Sequence, residues 1–301
     1  MVDALQADNA SFFVHIDKKS DLAPFKEAIG PRANVKFVRP IKVTWMGFSQ
    51  VASTLDVMRE AADEKCDYYS LLSGADYPIK SNRYIFDFFA QAKTEYIHFS
   101  KLDDRPPWMH KIRHYYPIDL VPIRDYHSSA RRYFWNYFYK YRDLFPARRF
   151  LEGVTPYCGC GWWSLSRDCM SYVIDRADKD ASLTRFYRYT HCPIEMFFQT
   201  VILNSKWASK VQNYEAYRRW SDGTSREVKE REGEILPEES FNLRHIDWSN
   251  ERIEGLGSPA TLGSRDFQAL KNSNCLFARK FDEHASRDIL DLIDGHRAGQ
   301  S

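Results

Sequence analysis

The chain has no run of about 18 apolar residues, the length that spans a bilayer. It has no charged start followed by an apolar stretch that would read as a secretory leader. These absences lead us to expect a cytoplasmic protein, at most peripheral to the inner membrane face. Neither sign of charge dominates: 43 Lys and Arg stand against 41 Asp and Glu, a net +2. No global field therefore draws nucleic acid to it, and none is expected as a partner. Cysteine is sparse, at positions 66, 158, 160, 169, 192 and 275. Cys158-Gly159-Cys160 is the only close pair, and no second pair or neighbouring His completes a zinc pattern, so buried free thiols are expected. Hard divalent cations want clustered oxygen ligands. The only Asp-x-Asp triplet, Asp178-Lys179-Asp180, follows helical residues and reads as a surface turn, so neither metal nor cofactor is expected. No internal repeat is visible.

Aromatic residues are plentiful at 15% of 301 residues, including 8 Trp. They form cores, and they also serve as flat faces for sugar rings. Short apolar segments at 11–16, 34–38, 68–72, 95–99 and 161–167 read as strands. Helical spacing over 49–62, with Ser49 as N-cap, over 82–92, from 168, over 195–204 and over 283–296 predicts helices between them. Residues 215–239 read as a charged loop. The alternation predicts an α/β chain with a mostly parallel central sheet and helices on both faces, in which ligands bind at the carboxyl ends of strands. Asp17 and the Ser73–Asp76 loop stand at such ends. Residues 122–150 differ in composition. Arg124, Arg131, Arg132, Lys140, Arg142, Arg148 and Arg149 interleave with Tyr133, Phe134, Trp135, Tyr137, Phe138, Tyr139 and Tyr141, opposed only by Asp125 and Asp143. This tract reads as a helical insertion with its basic side in water, or as an amphipathic helix on an anionic membrane surface or beside an acidic acceptor.

Some residues suggest chemistry. Trp45 and Gly47, in Thr44-Trp45-Met46-Gly47-Phe48-Ser49, lie in a loop just before a helix. Asp76 can accept hydrogen bonds from sugar hydroxyls or cap its own turn. Glu195 stands in the first turn of the predicted helix, where the dipole favours a carboxylate anion. It suits either a general base or a simple cap. Arg279 and Lys280, held between apolar residues, can neutralise a diphosphate or form a solvated face.

Taken together, these segments resemble one glycosyltransferase family, the core-2/I-branching β-1,6-N-acetylglucosaminyltransferases and peptide O-xylosyltransferases. The resemblance runs through Val14-His15-Ile16-Asp17-Lys18-Lys19-Ser20, Val43 to Ser49, Leu72-Ser73-Gly74-Ala75-Asp76-Tyr77-Pro78 and Trp162-Trp163-Ser164-Leu165. It continues through Glu195-Met196-Phe197-Phe198-Gln199-Thr200, His245-Ile246-Asp247-Trp248, Ser258-Pro259 and Phe277-Ala278-Arg279-Lys280-Phe281. It implies a GT-A-type fold in a single domain, with a nucleotide-sugar half at 1–110 and an acceptor and catalytic half at 111–301. It also implies an inverting displacement without metal. Glu195 would be the base, and Val14, His15, Asp17, Thr44, Trp45, Ser73, Asp76, Arg279 and Lys280 would hold a UDP-sugar. A glycan or peptide acceptor would meet Lys111, Arg113, Trp162, Trp163 and Trp248. The sequence departs from the pattern in three places. The family's first strand is not seen ahead of Val2-Asp3-Ala4-Leu5-Gln6. Gly161 stands where the xylosyltransferase branch carries Asp. The end region, Arg244 to Phe281, looks more like that same branch. The donor is thus expected to be UDP-GlcNAc or UDP-xylose, on a bacterial-type surface-polysaccharide enzyme. A catalytically weak carbohydrate- or nucleotide-sugar-binding protein of the same fold is the alternative.

Overall fold

A computed structural model describes residues 1–123, 129–221, 239–248 and 259–299. Arg124, Asp125, Ser258 and most of the charged loop expected at 215–239 lie outside the described residues. The strands are β1 (Phe12–Val14), β2 (Val35–Phe37), β3 (Tyr68–Ser70), β4 (Asp76–Pro78), β5 (Tyr96–Ile97), β6 (Ser100–Lys101), β7 (Tyr157–Cys158), β8 (Trp163–Ser166), β9 (Arg244–Ile246) and β10 (Phe277–Arg279). The helices are α1 (Ala23–Ile29), α2 (Ser49–Ala62), α3 (Asn82–Gln91), α4 (His110–Arg113), α5 (Ser129–Tyr141), α6 (Arg167–Lys179), α7 (Ala181–Tyr187), α8 (Phe197–Leu203), α9 (Tyr214–Ser221), α10 (Glu239–Asn242), α11 (Phe267–Asn272) and α12 (Arg287–Ala298).

The chain is mixed α/β, but the mostly parallel central sheet is not found among the described residues. The sheets are small: β1-β2, β4-β10-β9, β3-β8-β5 and β6-β7. Only β1-β2 and β9-β10 pair in parallel. Strand-helix alternation predicts parallel neighbours only when consecutive strands sit side by side. Here a late strand, β8, enters between β3 and β5 and runs antiparallel to both. The two expected halves of the single domain meet at residue 110. Strands from either side of it share β3-β8-β5 and β4-β10-β9.

The main core gathers α2, β8, α6 and α8. Val51, Leu55 and Met58 of α2 meet Leu165, Val173, Phe197 and Phe198. The α2 trio repeats at helical spacing, which is why that helix was legible. Ser49 is not the N-cap, however; it is the first helical residue. Its amide donates to Asp119 Oδ2 at 3.0 Å and its hydroxyl to Asp119 Oδ1 at 2.6 Å. A carboxylate 70 positions away thus caps α2. A second core lies behind β10, where Ala278 packs with Ile79, Leu262, Ile289 and Ile293. Its neighbour Phe277 points the other way, toward Leu5 and Ile85, as strand alternation requires. Asp178-Lys179-Asp180 is structural: Asp178 pairs with Arg59 at 2.6 Å, and Asp180 caps α7 by accepting from the Ser182 and Leu183 amides.

Gly159 shows how tightly the central segment is packed. A Cβ there would lie 2.0 Å from the His98 carbonyl oxygen. Backbone cannot yield as a flexible side chain can, so Gly159→Ala is expected to cost about 1–3 kcal/mol or more in urea unfolding. Gly74→Ala, which meets nothing within 4 Å, should stay within about 0.5 kcal/mol of the parent.

Candidate active site

The register of β4-β10-β9 places three charged residues on one sheet face. Arg279 lies opposite Asp76, and Arg244, on the next strand, shares their side. Asp76 is fully buried, with Oδ1 3.1 Å from Arg279 Nη1 and Oδ2 3.4 Å from Arg244 Nη2. The Ser73 amide donates to Asp76 Oδ2 at 2.7 Å, and Arg279 donates to the Ser73 hydroxyl. Both guanidiniums stack on Trp162, Arg244 at 4.9 Å and Arg279 at 4.7 Å from the ring centre. Arg244 is 1% exposed, and burial pulls its pKa below the usual arginine value. Its Nη2 donates to the Leu71 carbonyl at 2.8 Å, but Nε and Nη1 have no hydrogen-bond partner. Unsatisfied buried charged donors are costly, and an anion would relieve them.

Glu195 forms the second group. The expected helix at 195–204 begins later. Pro193–Glu195 is a 3-10 turn entered through a left-handed Cys192 at φ 51°, and α8 starts at Phe197 with Met196 as its N-cap. The Glu195 carbonyl instead accepts from the Gly159 amide at 2.8 Å, which pulls it out of the helical pattern. The close partner of the carboxylate is therefore a lysine and not a helix end. Lys111 Nζ lies 2.6 Å from Glu195 Oε2 and 3.6 Å from the centre of the Trp108 ring. Lys111 is buried on α4, so the pair is held from one side by packing, while Glu195 keeps about a third of its side chain exposed.

The segment Gly159–Trp162 joins the two groups. Gly159 bonds the Glu195 carbonyl, the Cys160 carbonyl accepts from Gln199 Nε2 at 2.7 Å, and Trp162 lies against the guanidiniums. The Trp45 loop is tied in as well, since the Cys192 amide donates to the Met46 carbonyl at 3.0 Å. Asp119 braces that loop from behind. A Cβ on Gly47 would meet Asp119 Oδ1 at 2.2 Å. At the end of β1, His15 Nε2 accepts from the Ile41 amide at 3.2 Å, and Asp17 accepts from the Lys19 and Val43 amides. Val14 is half-buried, and the Thr44 amide donates to the Ser49 hydroxyl at 2.7 Å.

Some expected residues stand elsewhere. Trp163 is 3% exposed and packs on Phe198 at 5.9 Å, so it is a core residue without a face for a sugar. Trp248 and Arg113 are exposed. Lys280 is half-buried next to Arg279, its carbonyl accepting from the Leu262 amide. Among the described residues no three His, Cys, Asp or Glu side chains come together as a metal site. None of the six cysteines is in a disulfide, and no described helix is long and apolar enough to cross a membrane. Sequence reading missed Arg244 and Asp119 as site residues. A lone Arg in the apolar stretch Leu243-Arg244-His245-Ile246 was the visible signal for the first. Nothing local marks the second.

Residues 1–271 match the Core-2/I-Branching enzyme family. The chain belongs to that glycosyltransferase family. It is similar to xylosyltransferase 2 of Mus musculus (24% identical over 311 residues) and of Homo sapiens (25% over 310), and to xylosyltransferase 1 of Canis lupus familiaris (25% over 314). Each alignment covers 99% of this chain but only 32%, 32% and 29% of the relative. The chain thus spans about a third of the length of the curated relatives it matches.

His191 sits behind the Glu195 pair, its amide donating to the Lys111 carbonyl at 3.1 Å. Burial, with Lys111, His110 and Arg142 nearby, lowers its pKa to about 3. A histidine depressed in the folded state stabilises fully above its unfolded pKa near 6.5, and that stability is lost as pH falls through the window toward 3. Unfolding free energy should therefore drop on acidification from pH 6.5 to 4, with His191 contributing about 1.4 kcal/mol per pH unit. In His191→Phe that part of the slope should disappear.

Proposed function

We propose that the chain is an inverting, metal-independent glycosyltransferase of GT-A type. It moves GlcNAc or xylose from a UDP-sugar to a hydroxyl of a glycan or peptide acceptor. The observation that carries this reading is the pairing, across Gly159–Trp162, of one accessible carboxylate with a cluster of two guanidiniums that retains unfilled donors. Acceptor activation needs a base on one side of the anomeric carbon. The departing diphosphate needs cations on the other. Glu195 serves the first need, with Lys111 fixing its position. Arg279 and Lys280 serve the second, with Arg244 buried behind them and both guanidiniums against the Trp162 ring. The relatives' printed names support sugar transfer. Gly161, whose added Cβ would lie 3.2 Å from Ile194 Cγ1, keeps the wall beside Glu195 thin and the donor sugar open between the two.

Calorimetric titration with UDP in EDTA tests the metal-free part. Binding should persist, and a requirement for Mn²⁺ would overturn it. Glu195→Gln keeps the shape of the side chain and removes its basicity. It should leave UDP-sugar affinity intact and cut turnover by about 10²–10⁴-fold. Retention of more than a tenth of the turnover would remove Glu195 from the role, and no turnover by the parent chain with intact UDP binding would favour a binding protein. Lys280→Ala should weaken UDP by roughly ten- to a hundred-fold and leave uridine almost unchanged, because only UDP carries the phosphates.

A further inference from the structure

The surface of α5 is unusual for a solvated helix. Only Trp135 is buried along it, against Tyr116, whose ring stacks at 6.4 Å. The opposite side presents Tyr133, which is 75% exposed, and Tyr137. Immediately beyond the helix, Leu144 and Phe145 are 79% and 62% exposed. Arg131, Arg132 and Lys140 are exposed on the same helix, which carries no acidic residue over Ser129–Tyr141. Asp143, which follows the helix, already faces His114 at 3.1 Å. Isolated exposed apolar residues need no explanation, but several on one helix and its following turn do, with Lys140 on their side and Arg131 and Arg132 toward the Trp135 side. Tyrosines with a wet hydroxyl, apolar tips and basic residues form the combination that suits the headgroup region of a bilayer.

We propose that α5 and the Leu144-Phe145 turn seat this protein on an anionic phospholipid surface. The cations attract the surface charge, and the aromatic and aliphatic tips enter the headgroup layer. A second copy of the chain is a poorer occupant, since a two-fold contact through this face would set its cations against themselves. The helix that carries the seat is linked to the candidate base through the interior. Trp135 packs on Tyr116, Tyr116 meets the His191 ring at 4.9 Å, the His191 amide bonds the Lys111 carbonyl, and Lys111 holds Glu195.

The test is co-sedimentation of the whole chain with phosphatidylcholine vesicles, with and without phosphatidylglycerol, at low and high salt. Binding to the anionic vesicles should be at least ten-fold tighter than to the neutral ones and should weaken with salt. Arg131→Glu with Lys140→Glu should cost at least ten-fold. Tyr133→Ser with Leu144→Ser, which keeps every charge, should cost several-fold with the circular dichroism spectrum unchanged. Equal partition to both vesicle types, or none to either, would overturn the proposal on the unmodified chain alone, whatever the variants do. Self-association that Tyr133→Ser abolishes, without vesicle binding, would assign the face to a second copy instead. UDP binding should be the same in every variant, so failure here leaves the transferase reading separately testable.

Discussion

A buried carboxylate sets the alignment of the β4-β10-β9 sheet. Asp76 has no exposed side-chain surface, and a charge in that position is tolerated only with close, well-placed partners. The strand β10 supplies one guanidinium and β9 the other. A slip of one residue in either pairing would turn an arginine to the opposite face and leave Asp76 uncompensated. The ion cluster thus specifies the alignment of three strands drawn from residues 76–78, 244–246 and 277–279. The same alignment leaves Arg244 with donors to spare.

The carboxylate at Glu195 is controlled differently. Its backbone is captured by Gly159, and its side chain by a lysine from α4. Neither constraint depends on the length of the helix that follows. Cys192 turns the chain through a left-handed conformation so that Glu195 emerges ahead of α8 rather than inside it. The base candidate and the cationic cluster are then separated by one short, rigid stretch in which Gly159 admits no side chain. Their relative placement is set by backbone bonding and by contacts of Trp162, with little left to side-chain freedom.

Local pattern revealed what local forces determine. The helix at 49–62 was legible because its apolar residues repeat at helical spacing, and the strands at 12–14, 35–37 and 68–70 fell inside the predicted segments. Motif order along the chain pointed to the family and to Glu195, Asp76 and Arg279. Distant pairings were not legible. Lys111 meets Glu195 across 84 positions, Arg279 meets Asp76 across 203, and Asp119 caps α2 across 70. No spacing rule reaches that far. The parallel-sheet expectation failed for the same reason, since the partner of β3 and β5 comes from much later in the chain. Trp163 could not be told from Trp162 by sequence because strand alternation sends adjacent tryptophans to opposite environments.

The position of β8 also governs the order in which the molecule can be assembled. On a ribosome, β3 and β5 are made first but cannot pair with each other, because the strand that separates them in the sheet is still unmade. At about 5–20 residues per second, several seconds or more pass before residues 163–166 appear. Throughout that interval both strands expose bare hydrogen-bonding edges, and Tyr69 and Ile97 lack their cover. The nascent chain therefore carries a sticky half-sheet until its middle third arrives, and a chaperone or slow, cool expression would protect it during that wait.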